Sequence, residues 1–368
     1  MFGILFFTIG TGSNKADAVS LENMIKNDSL ISAADKLSYK AALKYAKKCN
    51  LGGYSDWRIP TIKELYSIID FSGFDPSGYK ENNVSSLKPF IDTKYLKFSY
   101  GKEEDTERII DSQYVTTSIY VSNSRMDFGV NFADGRIRGY GLDFMGSDKT
   151  FYVILVRGNK EYGINKFVDN GDNTISDNAT GLMWSKDDSG LGMTWKEALK
   201  YAENSKLAAY SDWRLPNAKE LQSIVDYSRS PDKTNSPAIS ELFNSTSILN
   251  ELKQKDYPYI WSNTTHVNYM SKPGTAAAYV SFGSAMGYMS QKMGPPPTKG
   301  KMMNRPPRGE RPEMDKNNTE NATWSDVHGA GAQRSDPKEG NAKDYSKGRG
   351  PQGDAIRINN YVRLVRNI

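Results

Sequence analysis

An internal repeat limits the architecture of this chain more than any other feature of its sequence. Residues 38–73 align with residues 194–229 at a constant offset of 156, with 20 identities in 36 positions and no gap. The densest part of the match is the pattern Tyr-Ser-Asp-Trp-Arg-x-Pro, found at 54–60 and again at 210–216. Solenoid repeats have periods of only about 20–50 residues, so this period predicts two tandem domains.

The boundaries of the two copies follow from the segments that close them. Residues 152–157 and 361–366 resemble each other at an offset of 209, so the second copy carries a net 53 extra residues (209 minus 156). The extra length falls in 293–353, which holds 8 of the 16 prolines and few aliphatic residues. Such a segment buries too little apolar surface to offset its ordering entropy, which predicts a long irregular insertion, disordered or held by polar contacts. The predicted organisation is a leader at 1–35, a first domain at 36–160 and a second domain at 161–368.

Composition excludes several classes of site. The one cysteine, Cys49, allows no intrachain disulfide, thiolate zinc cluster or redox pair, because each needs at least two sulfur atoms. His266 and His328 are the only histidines, too few for a histidine-rich metal site. A net charge of +5 falls short of the dense basic surface that binds nucleic acid. No run approaches the roughly 18 apolar residues that cross a bilayer, so we expect no membrane span after the first residues.

The first residues resemble an export signal. Residues 1–12 are apolar, and Ala16-Asp17-Ala18 has the small-x-small form of a signal-peptidase site, although no basic segment precedes them. We therefore expect a secreted, periplasmic or cell-surface protein. A buried first strand and a misassigned start codon are the alternatives.

Each copy begins with two helices that can be read from caps and periodicity. Ser38 and Thr194 start the first helix, and residues 61–64 and 217–220 each place a cap three positions before a glutamate. Segments rich in aromatic and β-branched residues follow as strands, at 114–121, 128–132 and 151–156, then at 257–261, 276–282 and 361–365. Two helices followed by antiparallel strands predict an α+β fold, with the helices of each copy packed on a small sheet.

The Asp-Trp-Arg triplets lie in the turn between the two helices. A tryptophan there can fill the core beneath the turn, while the aspartate and arginine hydrogen-bond the backbone or each other. The glutamates that follow are interpreted as caps and not as catalytic acids. The predicted structural motif comprises Asp56, Trp57, Arg58, Glu64, Asp212, Trp213, Arg214 and Glu220.

Residues 167–177 predict a hairpin that turns on Asn170-Gly171. Its carboxylates, Asp169, Asp172 and Asp177, also allow a calcium site, since hard cations take oxygen ligands at short spacings. The glutamate that closes an EF-hand loop is missing, so the spacing favours a turn over a metal site. We expect no cofactor, with calcium as the alternative.

These motifs together resemble the Lcl C-terminal domain family, a bacterial domain family of unknown function. The resemblance rests on Asp-Asn-Gly-Asp-Asn-Thr-Ile at 169–175, Thr-Gly-Leu-Met-Trp at 180–184, and the Asp-Trp-Arg, Glu-Leu and Trp-Ser motifs at 212, 220 and 261. It covers 166–368 apart from the insertion, and 38–157, where the first copy has no counterpart of the hairpin. The resemblance implies tandem C-type-lectin-like domains in an exported, surface-associated protein, with sulfated glycans bound in the adhesin member. The sugar-binding triplets of calcium-dependent lectins are absent.

The favoured function is therefore a non-catalytic binding or adhesion protein whose partner is a polysaccharide or a cell-surface protein. Rigid aromatic and small polar side chains suit such a surface. The predicted ligand-binding residues are Trp324, Asp326, His328, Trp261 and Asn263.

Two other functions stay open. A structural envelope or assembly component would use the copies as spacers. A hydrolase would use His328 as general base beside Asp326 and Asp336. Formylglycine-generating chemistry on the implied fold is disfavoured, because it relies on thiols and the chain has only Cys49.

Overall fold

The structure is a computed structural model that describes residues 35–79, 83–102, 107–144, 147–269, 272–290, 322–350 and 352–368. The predicted leader lies outside these residues except for Asp35, and so do 293–321 of the predicted insertion. Within the described residues the chain is α+β, with short helices and several small antiparallel sheets, so the predicted class is confirmed. None of the described helices has the length and apolarity to cross a membrane.

The helices begin at the predicted caps. Their bounds are α1 Tyr39–Lys48, α2 Ile62–Ser67, α3 Trp195–Glu203, α4 Ala218–Ser223 and α5 Pro231–Thr234. The Ser38 hydroxyl accepts a hydrogen bond from Ala41 N at the start of α1. Complete capping boxes start α2, α3 and α4, with the N3 glutamate reaching back to the cap amide in each. Repeated local chemistry thus gives each copy the same pair of helices.

Nineteen strands lie in the described residues. In the first copy they are β1 Leu37–Ser38, β2 Gln113–Tyr114, β3 Ile119–Tyr120, β4 Asn123–Asn131, β5 Arg136–Gly141, β6 Asp143–Phe144, β7 Ser147–Asp148 and β8 Thr150–Phe151. In the second copy they are β9 Phe167–Asp169, β10 Thr174–Asp177, β11 Leu182–Ser185, β12 Ile248–Leu249, β13 Lys255–Asp256, β14 Tyr259–Thr265, β15 Ala276–Ser281, β16 Met286–Ser290, β17 Ala322–Asp326, β18 Gln333–Pro337 and β19 Val365–Asn367. The predicted hairpin is the pair β9 and β10.

One seven-stranded sheet joins the two copies. Its order is β14-β15-β18-β5-β4-β2, with β3 also paired to β4. The junction is the antiparallel pair of Gln333 with Ile137. These residues hold the same place in their copies, since Ile137 pairs with Val130 and Gln333 pairs with Val280. The prediction of a separate small sheet in each copy is therefore wrong, because the edges of the two sheets satisfy each other.

The described part of the predicted insertion over 293–353 is held by polar contacts, one of the two predicted alternatives, but it also contains two regular strands. Strand β17 pairs with β16, and β18 lies between β15 and β5 in the large sheet. Aliphatic residues are few in β18, so its burial depends on polar groups that find partners. Asp336, for example, accepts hydrogen bonds from Ile358 N and from the Asn360 side chain.

The largest hydrophobic core is shared by the two copies. It includes Leu65 and Phe128 of the first copy and Leu221 and Val280 of the second, each at most 1 % exposed. Separate clusters lie within each copy, around Phe151 in the first and around Trp213, Trp261 and Tyr279 in the second.

Helices α2 and α4 face each other across this shared core and exchange equivalent contacts. Lys63 Nζ of α2 donates to Ser223 O at 2.7 Å, and Lys219 Nζ of α4 donates to Ser67 O at 2.9 Å. Both pairs correspond under the offset of 156. The contacts between α2 and α4 are thus reciprocal.

Candidate functional site

Asp326 and His328 lie at the boundary between the copies and not on an open surface. The Asp326 carboxylate accepts from Tyr120 OH at 2.7 Å, from Gly329 N at 2.9 Å and from Ala285 N at 3.0 Å. Burial raises the pKa of Asp326 to about 6. The hydrogen bond from Tyr120 connects it to the first copy, so Asp326 fastens the two copies together.

His328 is 1 % exposed, and its Nε2 lies 2.8 Å from Asp354 Oδ1. Its carbonyl accepts from Gly139 N in β5 at 2.9 Å. Burial, together with the nearby Arg334 guanidinium, holds the pKa of His328 well below its ordinary value. A neutral interior imidazole in this position offers no ring face to a large ligand.

The predicted hydrolase residues are not brought together. His328 is paired with Asp354, which also forms an ion pair with Arg334. Asp336 faces elsewhere and accepts from Arg357 N, Ile358 N and the Asn360 side chain. In the described residues no hydrogen bond connects His328 to Asp326 or to Asp336, so the geometry gives no support to a triad.

The other three predicted ligand residues are also dispersed. Trp261 is 0 % exposed, and its indole N–H donates to Met193 O at 2.9 Å. Trp324 is half-buried and packs edge-on against Tyr288, with ring centroids 5.4 Å apart. Asn263 is exposed, but its side-chain amide donates to Leu215 O at 3.3 Å and its backbone N–H donates to Pro216 O at 2.8 Å. The five predicted residues therefore line no single surface.

The Asp-Trp-Arg motifs make the same internal contacts in both copies. Trp57 Nε1 donates to Leu51 O at 3.0 Å, as Trp213 Nε1 does to Leu207 O at 2.9 Å. The guanidinium groups of Arg58 and Arg214 form bidentate pairs with Glu64 and Glu220, the N3 glutamates of the capping boxes of α2 and α4. Asp56 and Asp212 accept from Arg157 and Arg366, each at 2.7 Å.

Arg157 and Arg366 were not identified from the sequence as members of these motifs. Each guanidinium stacks on a tyrosine of its own copy, Arg157 on Tyr54 at 3.6 Å and Arg366 on Tyr210 at 3.9 Å from the ring centroid. The available signal was the arginine that ends both closing segments, at 157 and 366. These contacts fasten the end of each copy to its inter-helix turn.

The aspartates of the β9–β10 hairpin have partners within the chain. Asp169 pairs with Lys186 at 2.6 Å, and Asp172 accepts from Thr174 N at 3.1 Å. Asp177 accepts from Lys166 N and from Asn165 Nδ2, both at 2.8 Å. The described residues contain no group of three or more histidine, cysteine or acidic side chains placed to hold a metal ion.

The solvent face of α1 is basic, which sequence reasoning missed. Lys40, Lys44 and Lys48 are exposed and recur once per turn, about 6 Å apart along the axis, with Lys47 beside them. The helix has no acidic residue, and no ion pair with the described residues neutralises these lysines. Lys47 and Lys48 complement the helix dipole at the C-terminus, but Lys40 in the first turn opposes it. Helix stability alone does not account for this pattern.

The equivalent helix of the second copy is neutral. Helix α3 carries Lys196 and Lys200 at the positions of Lys40 and Lys44, but Glu197 and Glu203 balance them. The basic stripe, Lys40, Lys44, Lys47 and Lys48, is thus a property of the first copy alone. A signal was present in the sequence, since residues 39–48 contain four lysines and no acid.

Comparison with known families gives one result. The family model described as the Lcl C-terminal domain matches residues 16–157 and 173–301, which is two tandem matches over more than half of the chain. The first match begins at residue 16, inside the segment that the sequence analysis assigned to a leader. No curated protein and no solved structure matches the chain.

Proposed function

The chain belongs to the Lcl C-terminal domain family, and from that premise we propose that it is an exported, non-catalytic protein that binds anionic polysaccharide through the basic stripe of α1. The proposed scaffold is a pair of C-type-lectin-like domains that arose by tandem duplication. The proposed location is the periplasm, the cell surface or the medium.

The observation that carries the proposal is the spacing of the lysines on α1. Three exposed ammonium groups at one-turn intervals, with a fourth beside them, form a linear array of positive charge without intervening acids. A flexible polyanion can meet such an array along its length and release its counterions. The polar residues at the boundary between the two copies already make hydrogen bonds within the chain. The outer faces of the molecule therefore remain for ligand binding.

Calcium has no part in this proposal. Asp169, Asp172 and Asp177 already accept hydrogen bonds from the chain, and charge attraction needs no bridging cation. We expect binding to be the same in the presence of calcium and of a chelator.

Heparin-affinity chromatography of the full chain tests the proposal. The variant combines Lys40→Gln, Lys44→Gln and Lys48→Gln, and glutamine is chosen because it keeps helix propensity. We expect the unmodified protein to be retained at low salt and the triple variant to elute at much lower salt. By analogy with nucleic acids, the slope of log affinity against log salt should fall by roughly 0.7–0.9 per lysine removed.

The matched control is Lys196→Gln with Lys200→Gln on α3, at the positions equivalent to Lys40 and Lys44. We expect this variant to elute with the unmodified protein, because Glu197 and Glu203 already neutralise that face. Failure of the unmodified protein to bind, or equal losses in both variants, would contradict the proposal. If the unmodified protein binds no polysaccharide but assembles into large particles, that result would favour the alternative function, a structural envelope or assembly component.

A further inference from the structure

Lys63 of α2 and Lys219 of α4 are equivalent residues that make equivalent contacts. Each ammonium group donates to a serine carbonyl of the opposite helix, Lys63 to Ser223 O at 2.7 Å and Lys219 to Ser67 O at 2.9 Å. The offset of 156 relates both the lysines and the serines. A difference between the two lysines therefore reflects what else the chain places against each of them.

The residue before each lysine is also held in the same way. Ile62 N donates to Ser118 Oγ at 3.0 Å, and Ala218 N donates to Thr264 Oγ1 at 2.9 Å. Each hydroxyl belongs to the same copy as the amide that it accepts from. The surroundings of Lys63 and Lys219 thus match in the backbone as well as in the ammonium contacts.

The linker between the copies gives Lys63 two further acceptors. The ammonium group donates to Gly163 O at 3.0 Å and to Asn165 Oδ1 at 2.9 Å. Gly163 has φ +80°, and a Cβ at this position would lie 2.9 Å from Cβ of Lys63. Glycine is thus required both by the backbone conformation and by the close approach. The chain itself therefore shows one ligand that fits these surroundings, a Gly-x-Asn segment with two neutral oxygen acceptors.

A cavity of about 480 Å³ lies beside Lys219. Asn217 and Thr264 of the second copy line it, together with Asp70, Phe71 and Asp92 of the first. Asp92 is exposed, so the cavity opens to solvent on the outside of the molecule. Its volume falls in the range of about 300–1,000 Å³ that is usual for ligand sites.

Lys219 has hydrogen-bonding capacity that the described residues do not use. Ser67 O is its one acceptor among them, whereas Lys63 has three acceptors. An ammonium group has three N–H donors, so Lys219 can take two more acceptors. Asp70 and Asp92 already place two carboxylates around the cavity. A neutral acceptor is therefore favoured there over a further carboxylate.

We propose that this cavity binds a Gly-x-Asn peptide of a partner protein. The glycine carbonyl and the asparagine side-chain oxygen of the peptide accept from Lys219, as Gly163 O and Asn165 Oδ1 accept from Lys63. The linker of a second copy is not the occupant, because its own Gly163 and Asn165 are already bonded to Lys63. The site is separate from the basic stripe of α1, and it gives the protein a second partner.

Fluorescence anisotropy with a synthetic peptide tests the proposal. The peptide has the sequence of residues 161–167, Glu-Tyr-Gly-Ile-Asn-Lys-Phe, with blocked ends and a fluorophore, and its side-chain charges cancel. We expect saturable one-to-one binding to the unmodified protein. Lys219→Met should weaken this binding about tenfold or more, because two hydrogen bonds to a charged group are lost. Gly163→Ala or Asn165→Asp, made in the peptide alone, should each weaken binding as well.

Two variants of the protein serve as controls. The triple variant of α1, with Lys40→Gln, Lys44→Gln and Lys48→Gln, should bind the neutral peptide as the unmodified protein does. Asp92→Asn should bind the Asn165→Asp peptide about two- to fivefold more tightly than the unmodified protein does, because one repelling carboxylate is removed. A damaged fold cannot produce such a gain.

Three results would overturn the proposal. The first is the absence of saturable binding to the unmodified protein. The second is equal affinity of that protein for the original peptide and for the Asn165→Asp peptide. The third is an equal loss in Lys219→Met and in the triple variant of α1. All three concern a neutral peptide, so none of them decides whether the protein is retained on heparin.

Discussion

The role of an individual residue in this protein is clearest when it is compared with the equivalent residue of the other copy. The turn after the first helix shows this well: Gly52 and Gly53 of the first copy become Ala208 and Ala209 of the second, and all four have positive φ. Alanine in this left-handed region is strained by about 1–2 kcal/mol, whereas glycine adopts it freely. The same backbone is therefore relaxed in one copy and strained in the other.

We predict that Ala209→Gly stabilises the protein. The relief of strain exceeds the extra chain entropy of glycine, about 0.5–1 kcal/mol, so the net gain should be roughly 0.5–1 kcal/mol in the free energy of unfolding. The urea midpoint measures it. The matched control, Gly53→Ala, should be destabilising although no atom lies within 4 Å of the added Cβ. A destabilised Ala209→Gly variant would show that the φ of 64° is not maintained in solution.

His266 is a second residue whose environment predicts a measurable effect. Its ring is 1 % exposed, stacks on Phe90 with centroids 5.3 Å apart, and donates from Nε2 to Asp134 O at 2.7 Å. Burial, aided by Arg136, lowers the pKa of His266 to about 4. The pKa in the folded chain lies below the unfolded value of about 6.5, so the folded state binds fewer protons between these values.

We therefore predict that the stabilising contribution of neutral His266 is complete above pH 6.5 and is lost as the pH falls toward 4. Relative to His266→Gln, the free energy of unfolding of the unmodified protein should fall by about 2 kcal/mol between pH 7.5 and pH 5. The raised pKa values of Asp326 and Asp336 act in the opposite direction, but equally in both proteins. Urea unfolding at the two pH values measures the difference, and a gap that does not change with pH would contradict the prediction.

At the scale of elements, the sequence predicts the helices and strands that are determined by neighbouring residues. It does not predict those that depend on partners far away in the chain. The helix caps at Ser38, Thr61, Thr194 and Asn217 need only neighbouring residues, so they could be identified directly. Strand β18, with the sequence Gln-Arg-Ser-Asp-Pro, has no alternation of apolar and polar residues, so it could not be identified from the sequence. Its place in the sheet depends on partners such as Ile358 and Asn360, more than 20 residues away.

The candidate sites divide in the same way. Asp326 and His328 have the residue types of a binding surface, but their burial depends on the pairing of the two copies, which no local pattern reveals. The basic stripe of α1 could be read from residues 39–48 together with their helical period. The reciprocal contacts of Lys63 and Lys219 could not be read in this way, because each joins residues of both copies.

The junction between β5 and β18 predicts a sharp difference between two glycines of one strand. A Cβ at Gly139 would lie 2.3 Å from Met126 Sδ and 2.7 Å from His328 O, across the copy boundary. We expect Gly139→Ala to be destabilising by about 1–3 kcal/mol, since overpacking forces the strands apart.

The control is Gly141→Ala, whose nearest neighbour would be Asp143 O at 3.1 Å on an exposed edge. We expect at most a small loss there, measured as a shift of the urea midpoint. Equal effects at both positions would mean that the tight contact of Gly139 with His328 does not exist in solution.

On the scale of the whole molecule, the two copies form one folded unit. They share a hydrophobic core, a seven-stranded sheet and the reciprocal contacts of α2 and α4. This union explains why many polar side chains of the second copy, such as His266 and Asp326, bond to the first. It also explains why recognition is proposed for outer faces, where the two copies differ in charge.

Native-state hydrogen exchange of Leu65→Ala tests this union most directly. Leu65 is 1 % exposed in the shared core, so its truncation should be destabilising by about 2–5 kcal/mol. If the copies unfold together, the slowest amides of β4 in the first copy and β15 in the second should lose protection by the same factor. Leu221→Ala, the equivalent change in the second copy, should give the same pattern. Loss of protection confined to the copy that carries the substitution would contradict the account.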